Sequence, residues 1–460
     1  MSNEQRIKIL EEKREKINNV SCSFCTAKWL QTTLLLQNGY NHSCHHPAPH
    51  KIPLQEIEAD PAALHNSRHK KKMRKMMLEG NRPSECGYCW KIEDLDKDYF
   101  SDRIYKTSDT WAWDKFEDIA KSNWQDNVYP SYLEVSFSNA CNFACAYCSP
   151  EISSKWMEDI KQNGEYPTTH GSHNLDYLEK SGKMPYKNRE HNPYVEAFWK
   201  WFPDALPHLK VLRITGGEPT MSKDTWKLLD YLIENPRKGL DISINTNGCV
   251  EDKLIDKLIL KVNQLAEVGV KVDVYTSLES TGAQAEYARD GLDFYKWLKN
   301  VDKILKETNS TVAMMTTINI LSLPSFLDFI MTVMDFRKEY NKSFEVNRIP
   351  LSINIMHWPP HLQCTLLDID YRTKTANTIE KVCEQWLKYY TKEKYARLYL
   401  EEFDQIQRLC DYLRNTEPAI EHRADFVRYI HAYDKRRDKD FVETFPQFAN
   451  LIEEWNAEKA

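Results

Sequence analysis

Cys141, Cys145 and Cys148 stand within eight residues, spaced C-x3-C-x2-C. They follow Leu133-Glu134-Val135-Ser136-Phe137, whose apolar–polar alternation predicts a half-buried strand. The cysteines therefore fall on a loop at the C-terminal end of a strand, where α/β barrels build their sites. Three thiolates do not close a tetrahedral zinc site. They match three irons of a four-iron cluster and leave the fourth iron open for a ligand. An open coordination position is what metal chemistry on a substrate or cofactor requires.

A second motif supports the first. Val211-Leu212-Arg213-Ile214-Thr215 predicts a later strand, and it runs into Gly216-Gly217-Glu218-Pro219. Only glycine lets a backbone approach a ligand closely and take positive φ without cost. A buried or zinc-bound set is the competing reading of three clustered cysteines, and it leaves the second motif unexplained. Together the two motifs resemble the radical S-adenosylmethionine (SAM) superfamily.

The resemblance implies roles, residue by residue. Cys141, Cys145 and Cys148 would ligate a [4Fe-4S] cluster whose open iron takes the amino and carboxylate groups of SAM. Gly216, Gly217, Glu218 and Pro219 match the motif that approaches the methionyl amino group. Tyr147 takes the aromatic position before the last cysteine, near the adenine. Asn247 closes the third predicted strand and is a candidate cofactor contact, with an ordinary cap as the alternative. Ser277 resembles the family serine that contacts the carboxylate or ribose. Arg289 resembles the arginine that pairs with the methionyl carboxylate, a task suited to a directional, always-charged fork. The implied chemistry is reductive cleavage of SAM to a 5′-deoxyadenosyl radical that takes a hydrogen atom from a substrate. The electron would come from a low-potential donor such as flavodoxin or ferredoxin.

The N-terminal region carries five more cysteines, Cys22, Cys25, Cys44, Cys86 and Cys89, with two C-x2-C pairs among them. Four thiolates close a zinc site or saturate a second [4Fe-4S] cluster. The arrangement resembles the auxiliary-cluster modules of radical SAM enzymes, the SPASM and shorter twitch types. That resemblance implies Cys25, Cys44, Cys86 and Cys89 as ligands and Cys22 as spare. Known twitch modules follow the barrel, whereas this one precedes it. Zinc stays open as the alternative. His45, His46 and His50 are extra candidate ligands, read ahead of that as solvated or capping groups. The run His69-Lys70-Lys71-Lys72-Met73-Arg74-Lys75 is read as an amphipathic helix with a basic face, ahead of an RNA contact.

These motifs need a scaffold. Alternating patterns predict strands at 133–137, 209–215, 240–245, 271–278, 312–320 and 351–356. Helices are predicted between them at 150–162, 223–234, 252–268, 292–308 and 323–338. Strict β/α alternation means a parallel sheet with right-handed crossovers. Six units resemble the partial (β/α)6 barrel of the radical SAM core. Upstream, a helix is expected at 2–20 with Ser2 and Gln5 as a capping box, a strand at 32–36, a hairpin at Asn38-Gly39 and a helix at 60–79. The expected fold is α/β, with a Cys-rich twitch-like module over 1–100, a helical connector over 101–130, the barrel over 131–357 and a helical C-terminal region over 358–460. That last region shows no chemistry. Its charged stretches, such as Tyr389-Tyr390-Thr391-Lys392-Glu393, suit a cap on the open barrel or a partner surface. His357-Trp358 follows the sixth strand, either lining a pocket or wedging that interface. Cys364 is the one scattered cysteine near the mouth.

The chain has 460 residues, 41% hydrophobic and 28% charged, with a net charge of -6. That balance gives no general reason for nucleic acid or an anionic membrane. The first residues are too charged for a signal peptide, and no apolar run reaches membrane-spanning length. Twelve cysteines without an export signal read as reduced thiols in the cytoplasm. The leading functional expectation is a radical SAM enzyme with one auxiliary cluster, acting on a peptide or protein. Its alternatives are a radical SAM enzyme on a small metabolite or nucleoside with structural zinc, and a non-catalytic iron–sulfur electron carrier or scaffold.

Overall fold

β-Branched and apolar residues at every second position build the strands of this chain. The computed structural model describes residues 3–96, 99–343, 345–389 and 395–457. Its strands are β1 (Gln31–Leu35), β2 (Tyr40–His42), β3 (His50–Lys51), β4 (Tyr132–Ser136), β5 (Ala144–Cys145) and β6 (Val211–Thr215). They continue with β7 (Asp241–Thr246), β8 (Lys271–Ser277), β9 (Arg289–Asp290), β10 (Val312–Ile318) and β11 (Leu351–Ile355). The six strands expected from alternation pair in parallel in the order β4-β6-β7-β8-β10-β11. Helices Lys223–Glu234, Asp252–Glu267, Phe294–Glu307 and Phe326–Tyr340 connect them at the expected places.

The two faces of this sheet differ in a way the alternation dictates. Leu133, Val135, Leu212, Ile214, Ile244 and Val274 are buried against the helices. Their neighbours Glu134, Arg213, Asn245, Asp273, Tyr275 and Ser277 point the other way and stay partly accessible, although they lie on central strands. This is the polar concave face of a partial barrel, not a packed second core.

Two features depart from what the pattern implied. The hairpin at Asn38-Gly39 forms, with Gly39 at φ +72° and β1 antiparallel to β2. However, β1 also pairs in parallel with β4, Thr33 opposite Glu134. The result is one nine-stranded sheet, β11-β10-β8-β7-β6-β4-β1-β2-β3. A second core of Phe24, Trp29, Ile104, Trp111 and Phe116 packs on Tyr132 and Val211, at the N-terminal ends of β4 and β6. The second departure is helix Arg68–Leu78. It begins where Ser67 caps the Lys70 amide, after a break from helix Ala63–Asn66. Lys70 and Arg74 are not a solvated basic face but are buried beside Met73 and Met77. They are satisfied inside, Lys70 Nζ by the Gln31 carbonyl at 3.0 Å and Arg74 Nε by the Lys28 carbonyl at 3.0 Å.

Helix Asn3–Val20 forms as expected, while Ser2 of the anticipated capping box lies outside the described residues. The C-terminal region is helical, with Ile369–Tyr389, Leu400–Asn415, Arg423–Arg437 and Ala449–Ala457. Residues 390–394 of its charged stretch lie outside the described residues. Helix Leu400–Asn415 covers the edge of β11, where Glu402 and Gln405 accept the Leu351 and Ile353 amides, each at 2.8 Å. Helix Arg423–Arg437 instead reaches the cysteine loop after β4. No helix is long and apolar enough to cross a membrane among the described residues.

Candidate functional site

The loop after β4 is held from every side, and its own serines begin the work. Ser154 Oγ accepts the Cys141 amide at 3.1 Å and donates to the Cys141 carbonyl at 3.2 Å. Ser153 Oγ donates to the Phe143 carbonyl at 2.7 Å. The carbonyls at the cysteines then receive donors from distant elements. Trp156 Nε1 donates to Cys145 O at 2.9 Å, Tyr429 Oη to Ala146 O at 2.8 Å, and His173 Nε2 pairs with Cys148 O at 2.9 Å. With its carbonyls tied down, the loop has little freedom left except at the sulfurs.

The Gly-Gly-Glu-Pro segment packs directly on this loop. Gly217 N donates to Ser138 O at 3.2 Å and Glu218 N to Ala140 O at 2.7 Å. A Cβ on Gly217 would stand 2.5 Å from the Ala140 carbonyl and 2.8 Å from those of Asn139 and Ile152. Gly216 has φ +136° against Ser136 and Ser138. Glycine is required at both positions by the meeting of the two loops. Pro219 starts a short 3-10 turn. The Glu218 carboxylate is buried and accepts the Thr220 amide and hydroxyl and, at 2.6 Å, the Asn247 amide. Asn247 Nδ2 bonds Asn142 Oδ1 at 2.7 Å, and Asn142 Nδ2 bonds Cys249 O at 2.9 Å. Glu218 and Asn247 thus tie the ends of β6 and β7 to the cysteine loop.

Arg289 sits on β9, which pairs antiparallel with β5 so that Arg289 faces Cys145 in register. Its Nε and Nη2 meet the Glu279 carboxylate at 3.0 and 2.5 Å, and Nη1 lies 3.9 Å from Cys145 Sγ. Tyr147 Oη donates to Glu279 Oε1 at 2.9 Å, and the Tyr147 ring lies 5.4 Å from the guanidinium. Ser277 ends β8 on the concave face, half-buried and opposite Met315 of β10. The sequence offered no role for Glu279, Asn142, Trp156, His173 or Tyr429. Glu279 alone had a signal, two residues beyond Ser277 at a strand end; the others act through tertiary contacts.

The donor set fits a multiply charged metal centre. Burial, and after it the neighbouring thiols, push the Cys141 thiol up to about 12 and the Cys148 thiol well above its ordinary value. Burial raises Cys145 as well, against the pull of Arg289. Such sulfurs ionise together only beside strong positive charge.

The four expected N-terminal ligands also converge. Cys25, Cys44, Cys86 and Cys89 line one small cavity with Lys28, Arg103 and Lys106 around them. Cys22 lies apart, its Sγ 3.4 Å from the Gly80 carbonyl. Burial raises Cys86 and Cys89 to about 12, while Lys28 pulls Cys86 the other way. Among the described residues the only trio with ligand atoms all within 4.8 Å is His45, His46 and Asp102, so no three of these four sulfurs are that close. His46 Nε2 bonds Asp102 at 2.7 Å and its ring stacks on Tyr88 at 3.8 Å, while His50 meets Ser67 at 3.2 Å. His357 packs on Tyr412 of the C-terminal helices, with ring centroids 5.8 Å apart, and Trp358 is exposed. Cys364 is sealed in the core.

The sequence profile of the radical SAM superfamily matches residues 135–330. The chain carries a radical SAM domain. The radical SAM cyclopropyl synthase TigE of Paramaledivibacter caminithermalis is 27% identical over 214 residues, 46% of this chain and 39% of that protein. A GTP 3′,8-cyclase of Aliarcobacter butzleri is 27% identical over 179 residues, 38% of this chain and 43% of that protein. The match thus spans less than half the length of either curated relative. Streptococcus suis SuiB, solved bound to precursor peptide SuiA, covers 78% of this chain and 70% of its own at 12% identity, with a TM-score of 0.33, below that of a shared overall fold. The matched residues run from β4 to helix Phe326–Tyr340.

Proposed function

We propose that this protein is a radical SAM enzyme that holds a [4Fe-4S] cluster on Cys141, Cys145 and Cys148 and acts on a peptide or protein. The carrying observation is the interlock of the cysteine loop with Gly217 and Glu218, which places three sulfurs at the mouth of a polar concave face. Bound there, the cluster and SAM supply reductive cleavage of the sulfonium and hydrogen-atom abstraction from a substrate. Gly216, Gly217, Glu218 and Pro219 shape the methionyl side of the pocket. Asn247 and Ser277 close it at the ends of β7 and β8. Tyr147 borders it, and Arg289 stands beside Cys145 with Nη1 3.9 Å from its sulfur. The electron comes from a low-potential carrier such as flavodoxin or ferredoxin.

Substrate enters along the concave face. Its half-buried charges are Glu134, Asp273 and Arg213, with the exposed Lys271 ammonium 3.0 Å from Asp273. Glu134 Oε1 accepts from Thr215 at 3.1 Å, and Arg213 reaches Asn245 at 3.5 Å. Carboxylates matched by cations leave no excess positive charge for a nucleoside triphosphate. Amide and zwitterionic groups of a peptide suit alternating donors and acceptors of this kind.

A second [4Fe-4S] cluster on Cys25, Cys44, Cys86 and Cys89 is the better occupant of the N-terminal cavity. With Zn–S bonds of about 2.3 Å, four sulfurs around one zinc ion would sit about 3.8 Å apart. Here no three lie within 4.8 Å of one another, wider than that zinc geometry. Lys28, Arg103 and Lys106 offset the charge of a thiolate-bound cluster. The test is metal content. Anaerobically reconstituted protein is expected to hold about eight irons per chain, and Cys141, Cys145 and Cys148 changed together to Ala about four. Zinc with almost no iron in that variant would reject the second cluster.

A further inference from the structure

Arg289 is held more firmly than a cofactor-binding arginine needs to be. One whole edge of its fork, Nε and Nη2, is taken by Glu279, which is 0% exposed. Glu279 is held in turn by the Tyr147 hydroxyl. The backbone is pinned too, by the β5–β9 pairing and by the Ala146 amide on the Ala288 carbonyl at 2.8 Å. What remains free of carboxylate is Nη1, and it faces the Cys145 sulfur. A buried bidentate pair of this kind is rigid. Its positive end therefore stands at a fixed distance from one cluster ligand, and its negative end is bound by the Tyr147 hydroxyl.

We propose that Glu279 is a positioning residue that clamps Arg289 with Nη1 on Cys145 Sγ, and that the pair acts as a fixed dipole setting the reduction potential of the SAM-binding cluster. This rests on the reading of Cys141, Cys145 and Cys148 as cluster ligands. The sign follows from electrostatics. One-electron reduction adds negative charge to the centre, and a positive end held beside a ligand sulfur favours it. The pair is neutral as a whole, so it biases the cluster without placing a net charge in the core.

The test is a redox titration of the reconstituted holoenzyme, following the electron paramagnetic resonance signal that SAM perturbs. The double variant Arg289→Gln/Glu279→Gln removes the dipole and leaves no buried charge. Its reduction equilibrium is expected to fall at least tenfold, about 59 mV for one electron. Arg289→Lys keeps the charge but cannot span both Glu279 and the sulfur, and it is expected to keep full iron with a potential lowered toward the double variant. An unchanged potential in the double variant overturns the proposal. Should the double variant fail to hold iron, Arg289→Lys decides, and a wild-type potential there overturns it equally. Wild-type protein that binds no SAM-responsive cluster would instead reject the parent reading, and this inference with it.

Discussion

Gly217 decides whether the two loops of the site can meet. Three carbonyl oxygens of the cysteine segment stand where its Cβ would go, all on backbone that cannot swing aside. Gly217→Ala must push the loop that carries Cys141 while leaving the sheet and its helices intact. Its iron is expected to fall by about half, to the four of one cluster, with an unchanged far-ultraviolet circular dichroism spectrum. Full iron in that variant would show that the interlock tolerates displacement. The N-terminal sulfurs allow an equally local test. Cys22 points at Gly80 and away from the cavity that Cys44 lines. Cys22→Ala is expected to keep all iron, whereas Cys44→Ala loses or degrades one cluster, read by iron content and visible absorbance. The reverse pattern would mean that Cys22 and not Cys44 completes the set. The spacing of Cys141, Cys145 and Cys148 was legible because it is chain-local, whereas Cys25, Cys44, Cys86 and Cys89 meet only through the fold. Glu279, Trp156, His173 and Tyr429 were not legible, since each acts on a carbonyl or guanidinium brought to it only by folding.

At the level of elements, the parallel strands were written in their alternation, and all six form and pair in parallel. What alternation does not encode is which strand lies beside which across long sequence gaps. Residues 32–36 read as a hairpin arm, and nothing local announces their parallel pairing with β4. The same holds for β5 and β9, two residues each, which only the tertiary fold makes into a ribbon. The edge of β11 is another such case. Glu402 accepts the Leu351 amide and, at 2.5 Å, the buried Arg337 guanidinium. Removing that carboxylate leaves a cation in the core without its partner. Glu402→Ala is expected to destabilise the fold by about 3–5 kcal/mol, measured by denaturant unfolding. A loss below about 1 kcal/mol would show that the Arg337 bonds to the Ile349 and Arg397 carbonyls carry the contact on their own.

Across the whole molecule, two regions flank the barrel. The N-terminal strands extend the sheet beyond β4, and Cys25, Cys86 and Cys89 belong to a separate apolar core on Tyr132 and Val211, at the N-terminal ends of β4 and β6. The C-terminal helix Arg423–Arg437 closes from the opposite direction, Tyr429 on the cysteine loop and Tyr433 on the Tyr287 carbonyl at 2.9 Å. The charged C-terminal region reads as a cap or a partner surface, and two of its buried tyrosines hydrogen-bond to the cysteine loop and to Tyr287. The central claim is that Cys141, Cys145 and Cys148 hold a cluster that cleaves SAM. Its most direct measurement is 5′-deoxyadenosine formed from SAM under dithionite by reconstituted protein with full iron. The account predicts 5′-deoxyadenosine from the wild-type protein and none above background from Cys145→Ala. Wild-type protein with full iron that forms no 5′-deoxyadenosine, or a Cys145→Ala variant that forms as much, would contradict it.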